Sequence, residues 1–229
     1  MNANTFRLAF RASLPVMAGY VVLGIGFGVL LQDKGYGFLW AGLMALTIYA
    51  GSMQYAALDL ISGGASLITT ALMTLMINGR HFFYGLSMLK KYQDTGKKRP
   101  YLIFGLTDET YSLVCTDAPA GTDPGWYYFL VTLLDQCYWV AGCVIGGLLG
   151  PILPFDSTGM DFAMTALFVV IVVDQWRTAR SHVPVLVGLG VSLLLLFLLG
   201  PDRFVIPAMA AITVILALLR RRLEVMADD

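Results

Sequence analysis

Apolar side chains gather into long blocks along this chain, at roughly 14–31, 38–60, 64–89, 127–149, 161–173, 184–199 and 204–219. A helix needs about 20 mainly apolar residues to cross the hydrocarbon of a bilayer. The pattern therefore predicts an all-α polytopic membrane protein with about seven hydrophobic segments, some of them discontinuous or re-entrant. No stretch is left for a water-soluble domain, so residues 1–229 read as one transmembrane domain.

Three interruptions stand out. In TIYAGSMQYAAL (47–58) the residues Gly51, Ser52 and Gln54 break the second block, and in LMTLMINGRHFFYGLSMLKK (72–91) the residues Asn78, Gly79, Arg80 and His81 break the third. The segment YLIFGLTDETYSLVCTDA (101–118) is apolar at both ends with Asp108 and Glu109 at its centre, so it is not a lipid-facing helix as it stands. Backbone N–H and C=O groups left unpaired at membrane depth persist only inside protein or beside a watery cavity. The breaks therefore mark the interior, as discontinuous helices do in secondary transporters, where half-helix ends aim at substrate charges.

Basic residues in short loops stay cytoplasmic. That rule puts Lys90, Lys91, Lys97, Lys98 and Arg99 inside, with Arg177, Arg180 and Arg220 to Arg222, and leaves 150–160, which carries Asp156, and 200–203 outside. With Arg7 and Arg11 also inside, three full crossings would deliver the Lys90 cluster to the wrong face. One span must be incomplete. The expected one is 38–60, entering and returning around Gly51, with both termini cytoplasmic.

Composition agrees with the pattern and narrows the chemistry. Hydrophobic residues make up 58% and charged residues 13%, against about 25% charged in soluble domains, and the mean hydropathy is +0.73. Fifteen basic and fifteen acidic side chains cancel, which gives nucleic acid no footing as a partner. Cys115, Cys137 and Cys143 are odd in number and lack metal-ligand spacing, so they read as small packing residues. His81 and His182 are the only histidines, HExxH is missing, and no GxSxG elbow surrounds Ser52. Gly24, Gly26 and Gly28 lack the strand context of a phosphate loop and read as close helix packing. We expect no enzyme, no cofactor and no metal. The first block lacks a small-residue cleavage site and reads as a retained span.

The candidate chemistry lies in the breaks. Arg80 precedes Lys90 by ten residues, on the order of 15 Å at the helical rise, too deep for easy snorkelling. It therefore needs a partner or a cavity. One reading is a structural ion pair with Asp108, Glu109 or Asp135; the other is a ligand site. Asp108 and Glu109 point about 100° apart on a helix, so one ligand cannot meet both, and a solvated turn is the competing reading. Asp135, beside Gln136 near the middle of its block, either carries a proton or sits neutral and hydrogen-bonded in the core. Asp174 and Gln175 read as a cytoplasmic helix end, Asp59 as a span terminus, and Met53, Met73, Met76 and Met88 as core packing.

The blocks YAGSMQYAAL (49–58), NGRHFFYGLSM (78–88), LTDETYSL (106–113) and LLDQCYWVAGCVIGGLLG (133–150) resemble the AzlC-type large subunit of branched-chain amino-acid exporters, in the expected order and over nearly the whole chain. The resemblance implies a bacterial inner-membrane exporter of leucine, isoleucine, valine and methionine. It also implies a small hydrophobic AzlD-type membrane subunit as partner and coupling to protons rather than ATP. Motif matches fall on Gly51, Ser52, Gln54, Asn78, Arg80, His81, Asp108, Glu109 and Asp135 or Gln136, while Asp59 departs from the usual apolar residue. We expect the two breaks to face each other and bind a zwitterionic amino acid through Gly51, Ser52, Gln54, Tyr55, Asn78, Gly79, Arg80 and His81. Arg80 or a half-helix N-terminus would take the carboxylate. Asp108, Glu109 or Asp135 would meet the ammonium or carry the coupling proton, and Met53, Tyr55, Phe82 and Phe83 would select an aliphatic side chain. Three alternatives stay open: a non-catalytic scaffold subunit whose partner holds the pathway, an exporter of another small amphipathic solute, and a membrane-embedded enzyme.

Overall fold

The computed structural model describes residues 3–152, 181–201 and 204–228, with 169, 172, 173, 176 and 177 between them. Most of the expected segment 161–173 and of the outer stretch 150–160, the dipeptide Asp174–Gln175 and Arg180 lie outside the described residues, as do the side chains of Met76 and Phe83. Among the described residues the chain is all-helical, and it divides into two compact units, Met1–Leu167 and Phe168–Asp229.

The first unit is organised by α1 (Ala3–Asp33) and α8 (Pro124–Leu149), each long and apolar enough to cross a membrane. Asp123 starts α8 by accepting a hydrogen bond from Trp126 N at 2.8 Å, with Pro124 in the first turn. Helix α1 begins well before its apolar block, because Arg7 and Arg11 extend it on an exposed face. Thr5, Ala9, Ser13, Val16, Tyr20, Leu23, Phe27 and Leu31 form its buried stripe at helical spacing. The stripe lies against α8 where Gly24 and Gly28 meet Gly142, Cys143 and Gly146, with backbone nearly touching backbone. Small residues drive such contacts in membranes because lipid is as apolar as leucine and only close packing favours association.

The block 38–60 resolves into α2 (Phe38–Thr47) and α3 (Gly51–Ser62), and the block 64–89 into α4 (Leu67–Asn78) and α5 (Arg80–Met88). Ser66 caps α4 through its hydroxyl. Lys97 and Lys98 of the basic cluster close a 3-10 turn at Gln93–Lys98. The segment 101–118 falls into α6 (Arg99–Phe104) and α7 (Asp108–Val114), separated by 105–107. Leu67, Ile68, Leu72 and Leu75 on α4 and Leu39 and Trp40 on α2 are exposed, the kind of surface that lipid or a partner covers.

In the second unit α9 (Val183–Leu199) is apolar all round and ends at Gly200, whose φ of 75° suits glycine. It packs on α10 (Val205–Asp228).

Candidate functional site

The chain leaves helical geometry between α2 and α3 at Tyr49, which takes φ 42°, a left-handed conformation uncommon outside glycine. Ala50 is extended, and α3 starts at Gly51. A Cβ on Gly51 would lie 3.1 Å from the Trp139 ring, so glycine is required there by a neighbour rather than by its own φ. The break thus sits one to three residues before the Gly51–Gln54 position expected from sequence. Ser52 follows in the first turn of α3.

The second break is narrower than the unwound 78–81 segment expected. Gly79 keeps helical angles, φ −55° and ψ −32°, and Phe82 N donates to Gly79 O at 3.2 Å, so α4 and α5 join through a tight one-residue kink. The kink carries Arg80 to the third break. There Arg80 Nη2 donates to Ser52 Oγ at 2.6 Å and stands 2.9 Å from Asp108 Oδ2, with the two ion-pair side chains 31% and 20% exposed. Three interruptions of three different apolar segments therefore converge on one Ser–Arg–Asp cluster that is shielded yet accessible.

Behind this cluster lies a second polar layer. Thr107 caps α7 by accepting from Thr110 N at 3.2 Å. Its hydroxyl also touches Tyr20 OH at 2.7 Å, and Tyr20 OH donates to Glu109 Oε2 at 2.7 Å. Thr110 Oγ1 donates to Asp135 Oδ2 at 2.8 Å. Asp108 and Glu109 diverge as adjacent helical residues must: the first faces Arg80 and the second faces α1. Asp135 is fully buried, and its Oδ1 has no hydrogen-bond partner among the described residues. Gln54 accepts from Trp139 Nε1 at 2.8 Å while its own Nε2 is buried without a partner there.

The remaining expected residues flank the cluster. Tyr55 OH donates to the Leu23 carbonyl at 2.7 Å. His81 Nδ1 lies 3.0 Å from the Asn78 carbonyl. His81 lines an apolar groove of about 410 Å³ with Tyr84, Met88 and Leu89. Asn78 lines a second groove of about 660 Å³ with Met53, Ala57 and Ile61. Gln136 turns to the other side of α8 and accepts from Tyr101 OH at 2.6 Å, and Asp59 is exposed. Among the described residues no group of His, Cys, Asp and Glu side chains could hold a metal ion. Tyr20 and Trp139 were missed by sequence reasoning as polar partners.

The bond to Gln136 involves no member of the Ser–Arg–Asp cluster, so it separates structure from transport. Tyr101→Phe leaves the buried Gln136 oxygen unpaired and is expected to destabilise the protein by about 1–2 kcal/mol. Thermal unfolding in detergent should show an earlier midpoint, while solute flux per folded molecule stays at the wild-type value.

The family described as AzlC protein matches residues 15–153, a range that includes every residue of both polar layers. The branched-chain amino acid transport protein AzlC of Bacillus subtilis (strain 168) is 46% identical over 220 residues, covering 96% of this chain and 87% of its own length. An uncharacterised membrane protein of Haemophilus influenzae is 44% identical over 220 residues, at 95% and 90% coverage. The inner membrane protein YgaZ of Escherichia coli (strain K12) is 27% identical over 189 residues, at 79% and 77%. No solved structure matches the chain.

Proposed function

This chain belongs to the AzlC family, and on that footing we propose that it is the large subunit of a secondary transporter that exports leucine, isoleucine, valine and methionine. The observation that carries the reading is Arg80 held between Ser52 and Asp108 where three broken helices meet. An amino acid is a zwitterion about as long as an ion pair. Its carboxylate can take the Arg80 fork, which suits planar bidentate acceptors, while its ammonium takes Asp108, so the resident pair opens onto a ligand that replaces both partners. The apolar grooves beside His81 and Asn78 are wide enough for an aliphatic side chain.

In a bacterial inner membrane, Arg7 and Arg11, the cluster from Lys90 to Arg99 and Arg220 to Arg222 support an orientation with both termini cytoplasmic. The exposed apolar faces suit a small hydrophobic AzlD-type subunit, with the proton gradient as energy source. Binding and release of an unmodified solute needs no catalytic residue or cofactor.

One second reading rests on the same geometry: a Ser–Arg–Asp cluster also locks helices together, as it would in a scaffold subunit whose partner holds the pathway. Vesicles preloaded with labelled leucine decide between them, prepared with and without the small subunit and given an imposed pH gradient. Gradient-dependent efflux that Asp108→Asn slows while Tyr101→Phe does not supports the exporter; efflux indifferent to every change in the cluster favours the scaffold. Absence of efflux for all four amino acids removes the substrate assignment.

A further inference from the structure

Five side chains of the inner polar layer form one unbroken row of oxygens: Glu109 Oε2, Tyr20 OH, Thr107 Oγ1, Thr110 Oγ1 and Asp135 Oδ2, separated by 2.7, 2.7, 3.1 and 2.8 Å. The row joins two carboxyl groups on α7 and α8 through three hydroxyls on α1 and at the start of α7. Each hydroxyl has a single proton to donate. With both carboxylates ionised, Tyr20 must donate to Glu109 and Thr110 to Asp135, because a carboxylate only accepts. Thr107 can then fill one of its two contacts, and the other is left as two oxygens at hydrogen-bond distance with no proton between them. Four contacts and three hydroxyl protons leave a deficit of one.

One added proton removes the deficit, and it does so from either end. On Glu109, every bond in the row points toward Asp135; on Asp135, every bond points toward Glu109. Passing the proton from one end to the other breaks and makes one O–H bond at each hydroxyl and leaves the total unchanged. Two added protons would turn the deficit into a surplus of one: with both carboxyls donating inward, the hydroxyl where the two directions meet keeps a proton with no acceptor in the row. From this geometry we infer that Glu109 and Asp135 share a single transportable proton, relayed through Tyr20, Thr107 and Thr110, and that this is the coupling site of the exporter proposed above, on which the assignment of coupling rests.

The surroundings agree. Tyr20 and Tyr49 lie within reach of the Asp135 charge from α1 and the first break, Tyr101 feels it from α6 while its hydroxyl is bonded to Gln136, and Asp108, Arg80 and Tyr84 lie within reach of Glu109. Phenols keep their protons at neutral pH, and Asp108 lies in the ion pair with Arg80. The exchangeable acids are thus the two at the ends of the row. The buried Oδ1 of Asp135, without a partner among the described residues, suits a carboxyl that is neutral for part of its cycle better than one that is permanently charged. Glu109 sits beside Asp108 in sequence, so a ligand that opens the Arg80–Asp108 pair changes the field at the near end of the row.

Two measurements test this. The infrared difference between the purified wild-type chain and the Glu109→Gln/Asp135→Asn double variant is expected to contain one protonated carboxyl and one carboxylate at neutral pH. Two of either kind overturns the shared proton. In vesicles, Asp135→Asn is expected to abolish the gradient's acceleration of leucine efflux while leucine–leucine exchange stays within about twofold of wild type, since exchange needs no net proton movement. Thr110→Val should lose the acceleration and Thr110→Ser, which keeps the hydroxyl, should retain it. Undiminished gradient stimulation in Asp135→Asn or Thr110→Val overturns the relay. A wild-type chain that moves no leucine but gives the one-and-one spectrum sinks the exporter reading and leaves the proton site standing.

Discussion

Leucine efflux per folded molecule is expected to fall by about 10- to 100-fold in Arg80→Ala, the scale of losing a charge-assisted contact of roughly 1.5–3 kcal/mol to the substrate carboxylate. Arg80→Lys keeps the charge but not the planar fork, and should sit between, with apparent affinity weakened more than the maximal rate. Removing Arg80 alone also leaves Asp108 without its cation, so the single variant mixes a loss of binding with a loss of folding. The variant pair resolves this. Arg80→Ala/Asp108→Ala removes both charges and should recover the thermal midpoint lost in the single variant, because a pair shielded from water is costly to break and cheaper to delete whole. If the pair is a helix clamp, transport recovers along with stability. If it is the substrate site, stability recovers and transport does not. Wild-type rate and affinity in Arg80→Ala would defeat the assignment outright.

The reason Arg80 could be singled out from sequence, and its neighbours could not, lies in what each needs for its meaning. An arginine inside an apolar block is anomalous on its own, since lipid penalises it wherever the chain goes. The breaks were legible for the same reason: Gly51, Ser52 and Gln54 contradict the run around them. Their detail was not. The residue that leaves helical geometry is Tyr49, an aromatic that no turn rule singles out, while Gly51 is small because of a tryptophan 88 positions away, a contact that no local rule predicts. Gly79 read as an unwound segment and turned out to be a kink one residue wide, because a glycine in helical angles satisfies its neighbours with a single 3-10 bond. Tyr20 was invisible for a further reason. A lone tyrosine in an apolar helix is ordinary, and its role appears only when α7 brings Thr107 and Glu109 against it from 87 and 89 positions away. The divergence of Asp108 and Glu109 needed only the 100° helical step, so it was available in advance.

Replacing Gly28 by leucine is expected to leave no folded protein to assay. A Cβ there would overlap the Cys143 carbonyl and the backbone at Gly146, and the same holds in reverse, a Cβ on Gly146 overlapping the backbone of Ile25. At Gly24 it would come within 2.9 Å of Cys143 N, and at Gly142 within 2.8 Å of Val21 O. These obstacles are backbone on both sides, so no rotamer change relieves them and the helix axes must move apart. Overpacking in an ordinary core costs about 1–3 kcal/mol. Here the separation also pulls Tyr20 away from Trp139, whose rings meet edge-on at 5.4 Å, and strips α1 from the inner polar layer. In lipid there is no hydrophobic gain to offset the lost contact. Gly28→Ala should give an intermediate, with a lowered thermal midpoint and reduced recovery as a monodisperse species after extraction. Gly188→Ala, where a Cβ meets open space in α9, should match or slightly exceed wild type, as alanine is the better helix former. The order Gly188→Ala, Gly28→Ala, Gly28→Leu in decreasing recovery is the expected result. A wild-type midpoint for Gly28→Leu would mean that α1 and α8 do not cross at these glycines, and the hydroxyl row that spans from Tyr20 to Asp135 would lose the scaffold that aligns it.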